Sequence, residues 1–194
     1  TGAGKELVAG ALHAHGPQQK GPFVAENCAS ISPLLMESEL FGHVEGAFSG
    51  ATSDHEGLFR RANNGVLFLD EIGDLEPGLQ GKLLRVIEGG MVRPVGSDTE
   101  FRVRVRVVAA THRNLEELAM TGRFREDLFY RLSAYRVEVP TLGQRIEDIP
   151  ALVRRFAGRI GEYRIEAGAM RRHHSRKAHK RIISTTEVSP AAQR

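Results

Sequence analysis

The 194-residue chain has no tryptophan and a single cysteine, Cys28. One cysteine excludes an internal disulfide framework and fits a reducing compartment. No apolar run approaches the roughly 18 residues of a membrane span, and no charged-then-apolar signal segment opens the chain. Internal repeats are missing, and low-complexity stretches are missing before residue 160. What is present is a hydrophobic content of 41%, enough for one domain of ordinary size with a buried core. That composition argues against collagen-like, disordered and disulfide-scaffold classes. The net charge of +3 is unevenly spread. Residues 1–160 carry 19 basic and 21 acidic groups, whereas residues 161–194 carry 8 and 3.

Short apolar runs alternate with helical patterns. Leu7, Val8, Ala11 and Leu12 fall at helical spacing, and a short strand is expected over 23–25. Ser32 and Pro33 read as a helix start, with proline at the first helical position. Val66, Leu67, Phe68 and Leu69 form a continuous apolar run, as a strand buried on both faces requires. Leu79, Leu83, Leu84, Val86 and Ile87 predict a helix ended by Gly89 and Gly90. A hairpin is expected over 91–103, turning at Gly96, Ser97, Asp98 and Thr99. A further strand is expected over 105–110, and a helix through Leu115 and Leu118. Strands separated by helices imply an α/β domain with a parallel sheet covered on both faces.

The chain opens Thr1, Gly2, Ala3, Gly4, Lys5, Glu6 and runs at once into a helix. Backbone N–H groups of a Gly-rich turn at a helix N-terminus form an anion cradle, and a lysine closing the turn reaches the outer phosphates of a nucleotide. These residues fit the second half of a G-x-x-x-x-G-K loop, with its first glycine expected two positions before Thr1. Taken alone the piece also suits a flexible terminus. A second piece follows about 65 residues later, where the 66–69 run ends in Asp70 and Glu71. At the C-terminal edge of a parallel sheet the first acid suits Mg²⁺ and the second suits polarisation of an attacking water. A solvated strand end accounts for the two acids but not for both pieces at this spacing. ATP hydrolysis is the leading expectation.

The segment Glu39, Leu40, Phe41, Gly42, His43, Val44, Glu45, Gly46, Ala47, Phe48, Ser49, Gly50, Ala51 closely resembles the ELFGHxxGAFTGA segment of sigma-54-dependent transcriptional activators. These are the NtrC-like bacterial enhancer-binding proteins of the AAA+ superfamily. Phe48 stands among small residues, where little local packing is expected, so it reads as the apolar tip of a mobile contact loop. The resemblance implies that residues 46–51 touch the sigma factor, with Ser49 in place of the usual threonine. It also implies a P-loop NTPase fold, ATP and Mg²⁺ as cofactors, sigma-54 RNA polymerase as partner and a cytoplasmic location. The intact protein would form a homo-oligomeric ring, usually a hexamer.

Further matches cover residues 1 to about 155. Thr1 to Glu6 is similar to the GExGxGKE loop, in which Glu6 after the lysine is ordinary. Asn27, in a strand ending Asn27-Cys28, matches the asparagine that pairs with the catalytic glutamate, here Glu71. Asp70 and Glu71 resemble the Walker B acids, and Thr111 the sensor that reads the γ-phosphate. The 124–132 segment resembles FREDLYYRL, which puts Arg125 and Arg131 at arginine-finger positions. A charged helix face is the plainer reading of Arg125 beside Glu126 and Asp127. A trans finger is favoured within the pattern, because a guanidinium suits developing phosphoryl charge. His43, His55 and His112 lack paired metal-ligand spacing, and Cys28 reads as a small buried residue.

The resemblance sets residues 1–158 apart as an AAA+ sigma-54 interaction domain lacking the start of the P-loop, the upstream segment and the lid subdomain. Residues 159–194 read as a basic tail, expected to be disordered. Its run from Arg171 to Arg181 also suits nonspecific contact with nucleic acid, but carries no helix-turn-helix or zinc spacing. Specific DNA binding is expected only from a domain outside this chain. Two alternatives stay open beside the ATPase: an inactive fragment that keeps a sigma-contact surface, and a nonspecific nucleic-acid binder acting through the tail.

Overall fold

The computed structural model describes residues 4–160 and 182–188. Helix α1 (Lys5–Ala14) leads to strand β1 (Phe23–Asn27), helices α2 (Pro33–Phe41) and α3 (Leu58–Arg61), and strand β2 (Val66–Asp70). Helix α4 (Pro77–Gly89) precedes a two-stranded antiparallel pair, β3 (Met91–Val92) and β4 (Phe101–Arg102). Strand β5 (Val105–Thr111), helices α5 (Leu115–Met120) and α6 (Glu126–Leu132), strand β6 (Tyr135–Glu138), helix α7 (Ile149–Ile160) and strand β7 (Ile182–Val188) complete the order.

The main sheet runs β1-β2-β5-β7-β6. The β1, β2 and β5 strands pair in parallel, as expected of an α/β sheet. Phe23 faces Val66 and Asn27 faces Asp70, so the ends of β1 and β2 finish together. Alternation along β2 divides the core. Leu67 and Leu69 join the large cluster with α2, α4 and α6, while Val66 and Phe68 join a smaller one under Ala9 of α1. All four are at most 2% exposed, which accounts for an unbroken apolar run in place of an alternating one. Gly65 lets the start of β2 close on β1. A Cβ there would stand 2.0 Å from the Pro22 carbonyl oxygen, and that oxygen accepts a 2.8 Å bond from Val66 N–H. Pro77 opens α4, and Gly90, left-handed at φ 66°, closes it with a bond to the Val86 carbonyl.

One expectation is corrected. Within the segment set apart as a disordered tail, residues 182–188 form β7, antiparallel to both β5 and β6. Five of its seven residues are β-branched, and β5 offers a full row of backbone partners along 105–111. Helix α7 also runs across the boundary drawn at 158. Residues 161–181 and 189–194, including the basic run, lie outside the described residues.

Candidate functional site

The C-terminal ends of β1, β2 and β5 meet the N-terminus of α1, which brings together residues far apart in sequence. Gly4 caps α1 in a left-handed conformation (φ 77°) and contributes no side-chain cap to its first turn. Leading N–H groups of a helix lack intrahelical acceptors, and their dipole favours an anion. Glu6 is exposed on that turn, whereas Lys5 is only 4% exposed. The Lys5 ammonium lies 2.7 Å from Asp70 Oδ1 and 3.0 Å from Glu71 Oε1. A buried ammonium is costly without such partners, and two carboxylates one residue apart repel each other without a cation between them. The cluster is therefore held together by Lys5. Thr1, Gly2 and Ala3 lie outside the described residues.

Glu71 is 5% exposed and adopts φ 54°, one of two non-glycine residues with positive φ among those described. Such a conformation costs about 1–2 kcal/mol, and the carboxylate lies between Lys5 and His112. Burial pushes the Glu71 carboxyl up. Hydrogen bonds from Lys5 and from the ring and backbone N–H of His112 outweigh that and hold it below its ordinary value. His112 gives the closest contact, its Nδ1 lying 2.6 Å from Glu71 Oε2. Sequence reasoning weighed His112 only as a metal ligand. The signal that finds its real partner is tertiary, because β5 ends beside β2.

The expected pairing of Asn27 with Glu71 is not formed. Asn27 Oδ1 accepts a 2.9 Å bond from Ala29 N–H instead, since a short amide readily folds onto its own turn. Thr111 ends β5, 1% exposed, and its Oγ1 accepts a 3.0 Å bond from Arg113 N–H. Arg113 in turn pairs with Asp74 on the turn that follows Glu71. Thr111 thus abuts the acidic turn: a Cβ on Gly73 would lie 3.1 Å from its hydroxyl.

Arg125 and Arg131 are exposed on the opening and closing turns of α6. Arg125 forms a two-pronged pair with Asp127, at 3.0 and 2.8 Å. None of its hydrogen bonds reaches Lys5, Asp70 or Glu71. In one chain it occupies the local charged-face position.

The 46–51 loop folds back on itself. Gly46 N–H reaches the Ala51 carbonyl at 2.9 Å, and Ala51 N–H reaches the Phe48 carbonyl at 3.0 Å. Phe48 was expected to lack packing; its ring instead meets His43 edge-on with centroids 4.9 Å apart, leaving it 39% exposed. The two turn bonds bring the tip down onto its own stem. Val44 N–H anchors that stem to the Val95 carbonyl at 3.1 Å. Gly46, Ala47, Ser49 and Gly50 complete the turn, with Gly46 and Gly50 both at positive φ.

Cys28 is buried behind β1, and its thiol is pushed up to about 12, first by burial and then by Glu26, Asp70 and Asp74. Among the described residues no helix is long and apolar enough to cross a membrane.

Comparison with known proteins gives a consistent picture. The Sigma-54 interaction domain family matches residues 1–138. The chain is 53% identical over 156 residues to the DNA-binding transcriptional regulator NtrC of Escherichia coli K12, covering 80% of this chain and 33% of that protein. It is 51% identical over 162 residues to the hydrogenase transcriptional regulatory protein HoxA of Cupriavidus necator, covering 84% and 34%. Among solved structures, NtrX from Brucella abortus in complex with ATP superposes with a TM-score of 0.74 at 44% identity, over 82% of this chain and 34% of that one. The NtrX complex with ADP gives 0.73. The chain spans about a third of the length of the curated relatives it matches.

Proposed function

The chain belongs to the Sigma-54 interaction domain family, and from that premise we propose that it binds and hydrolyses ATP to drive remodelling of sigma-54 RNA polymerase. The observation that carries this reading is Lys5 bridging Asp70 and Glu71 at the uncapped N-terminus of α1. A glycine-bounded helix start, a buried lysine and two strand-end carboxylates are the donor and acceptor set that a nucleotide triphosphate with Mg²⁺ requires. NtrX, solved with ATP and with ADP at 44% identity, supports the same assignment.

Each residue has a distinct task in this reading. Residues 1–5 cradle phosphate through backbone N–H groups, and Lys5 neutralises phosphate charge. Asp70, the more open acid with 27% of its side chain exposed, holds Mg²⁺. When bound, Mg²⁺ polarises the phosphoryl oxygens and screens their charge. Glu71 takes the proton of the attacking water, a role that its ionised state and its two-sided hydrogen bonding suit. Thr111 reads the end of the phosphate chain, and Asn27 acts as the nucleotide switch, alternating between Ala29 and Glu71 and leaving Glu71 free for hydrolysis when it stays on Ala29. Arg125 and Arg131, exposed on α6, reach a neighbouring protomer's site in a ring. Residues 46–51 contact the sigma factor, presenting Phe48 when it leaves His43.

Phosphate release and ATP affinity, measured on the wild-type chain and Glu71→Gln, test the assignment. The expected result is affinity within about threefold and turnover reduced to background. Unchanged turnover in the variant would overturn it. A wild-type chain that binds ATP and the sigma factor yet releases no phosphate would instead support the reading of a contact surface without turnover.

A further inference from the structure

The two oxygens of the Glu71 carboxylate have different partners. Oε1 accepts from Lys5 Nζ at 3.0 Å, whereas Oε2 accepts from His112 Nδ1 at 2.6 Å and from His112 N–H at 3.2 Å. We propose that His112 is the positioning residue for hydrolysis, holding Glu71 through Oε2 so that Oε1 is the oxygen presented to water. The proposal rests on the ATPase reading above.

Several features lead there. Lys5 is the group that phosphate competes for, since it is the cation of the cradle and holds both acids. Once Lys5 turns to phosphate, Oε1 loses its partner while Oε2 keeps two donors. One of those donors is a backbone N–H fixed at the end of β5, which cannot rotate away. The other must be a protonated Nδ1, because an ionised carboxylate only accepts. A carboxylate tethered by one oxygen retains lone pairs on the other, and general-base work needs a free oxygen in a fixed place. His112 follows Thr111 directly, so the tether and the phosphate sensor share the end of one strand. Its ring is 46% exposed, and this hydrogen bond rather than packing sets its orientation. A substitution there leaves the core intact.

The experiment combines kinetics with nitrogen-detected NMR of the histidine rings, on the full chain with and without Mg–ATP. In the nucleotide-free chain the His112 Nδ1–H signal is expected to be present and to shift in Glu71→Ala; its absence, or indifference to that variant, overturns this inference alone. Saturating Mg–ATP should leave the signal in place. In steady-state assays at a temperature where the variant stays folded, His112→Ala should lower kcat about tenfold or more with KM unchanged, and His112→Asn, whose amide keeps a donor, should recover most of the rate. Unchanged kcat in His112→Ala, or a loss carried by KM, contradicts the proposal. A wild-type chain that releases no phosphate brings down the ATPase reading and this inference with it, while the NMR result still reports whether the tether exists.

Discussion

Lys5 and Glu71, 66 positions apart, meet at 3.0 Å with both side chains buried. The contact makes the charge state of Glu71 a structural matter. Its carboxyl is held below the ordinary value of 4.5, burial opposing and the Lys5 and His112 hydrogen bonds prevailing. A depressed carboxylate contributes stability in full above its unfolded value and loses it as pH falls through the folded one. The melting midpoint of wild type should therefore exceed that of Glu71→Gln at pH 7, and the gap should narrow on the acid side of pH 4.5. A gap that stays constant into acid contradicts the linkage.

Cys28 should behave as an inert residue. With its thiol pushed up to about 12 by burial and by three nearby carboxylates, the thiolate needed for alkylation is scarce at pH 8. Iodoacetamide should leave the native chain unlabelled over the time in which the urea-unfolded chain reacts completely. Equal rates in both states would show that the environment of β1 is more open than described.

Phe48→Ala separates contact from stability. The ring is 39% exposed and makes an edge contact with His43, so its loss should cost about 1 kcal/mol, well below the roughly 3–5 of a buried phenylalanine. Thermal melting should shift by about 2–4 °C, while capture of the sigma factor in the presence of ATP is lost. A variant that captures the factor normally removes Phe48 from the contact.

Arg125→Ala tests whether the α6 arginine serves a neighbour. Its partner in the single chain is the exposed Asp127 two residues on, so the melting midpoint should not move. Hydrolysis should fall by about 10³ or more if the guanidinium completes an adjacent site. Loss of activity in proportion to loss of fold would assign Arg125 to the local charged face.

How much of this was legible in the sequence follows from how local each signal is. The strand ending in Asp70 and the helix between Pro77 and Gly90 are marked by contiguous residues, and both are found where expected. Helix α3, only Leu58–Arg61, is too short to show a period. Strand β6, Tyr135–Glu138, alternates apolar and polar residues over only four positions, a signal the sequence reading passed over, and it is exposed at every one of them. Strand β7 follows a dense basic run whose composition dominated its own β-branched residues. At the site, Lys5, Asp70 and Glu71 were named from motif spacing, and the fold brings them together. The partner of Glu71 was expected to be Asn27 and is His112, 41 positions away. Which polar group wins a buried carboxylate depends on rotamers and strand ends, and a linear pattern does not encode that choice.

In the proposed function the Lys5 cluster is a nucleotide-phosphate site. Isothermal titration of the full chain with Mg–ATP, wild type against Lys5→Met, tests it most directly. Met keeps the apolar stem and removes the ammonium alone, and circular dichroism checks that the variant is folded. Wild type should bind saturably, and a folded Lys5→Met should titrate at least tenfold more weakly. Equal affinity in the two chains, or no binding by wild type, would contradict it.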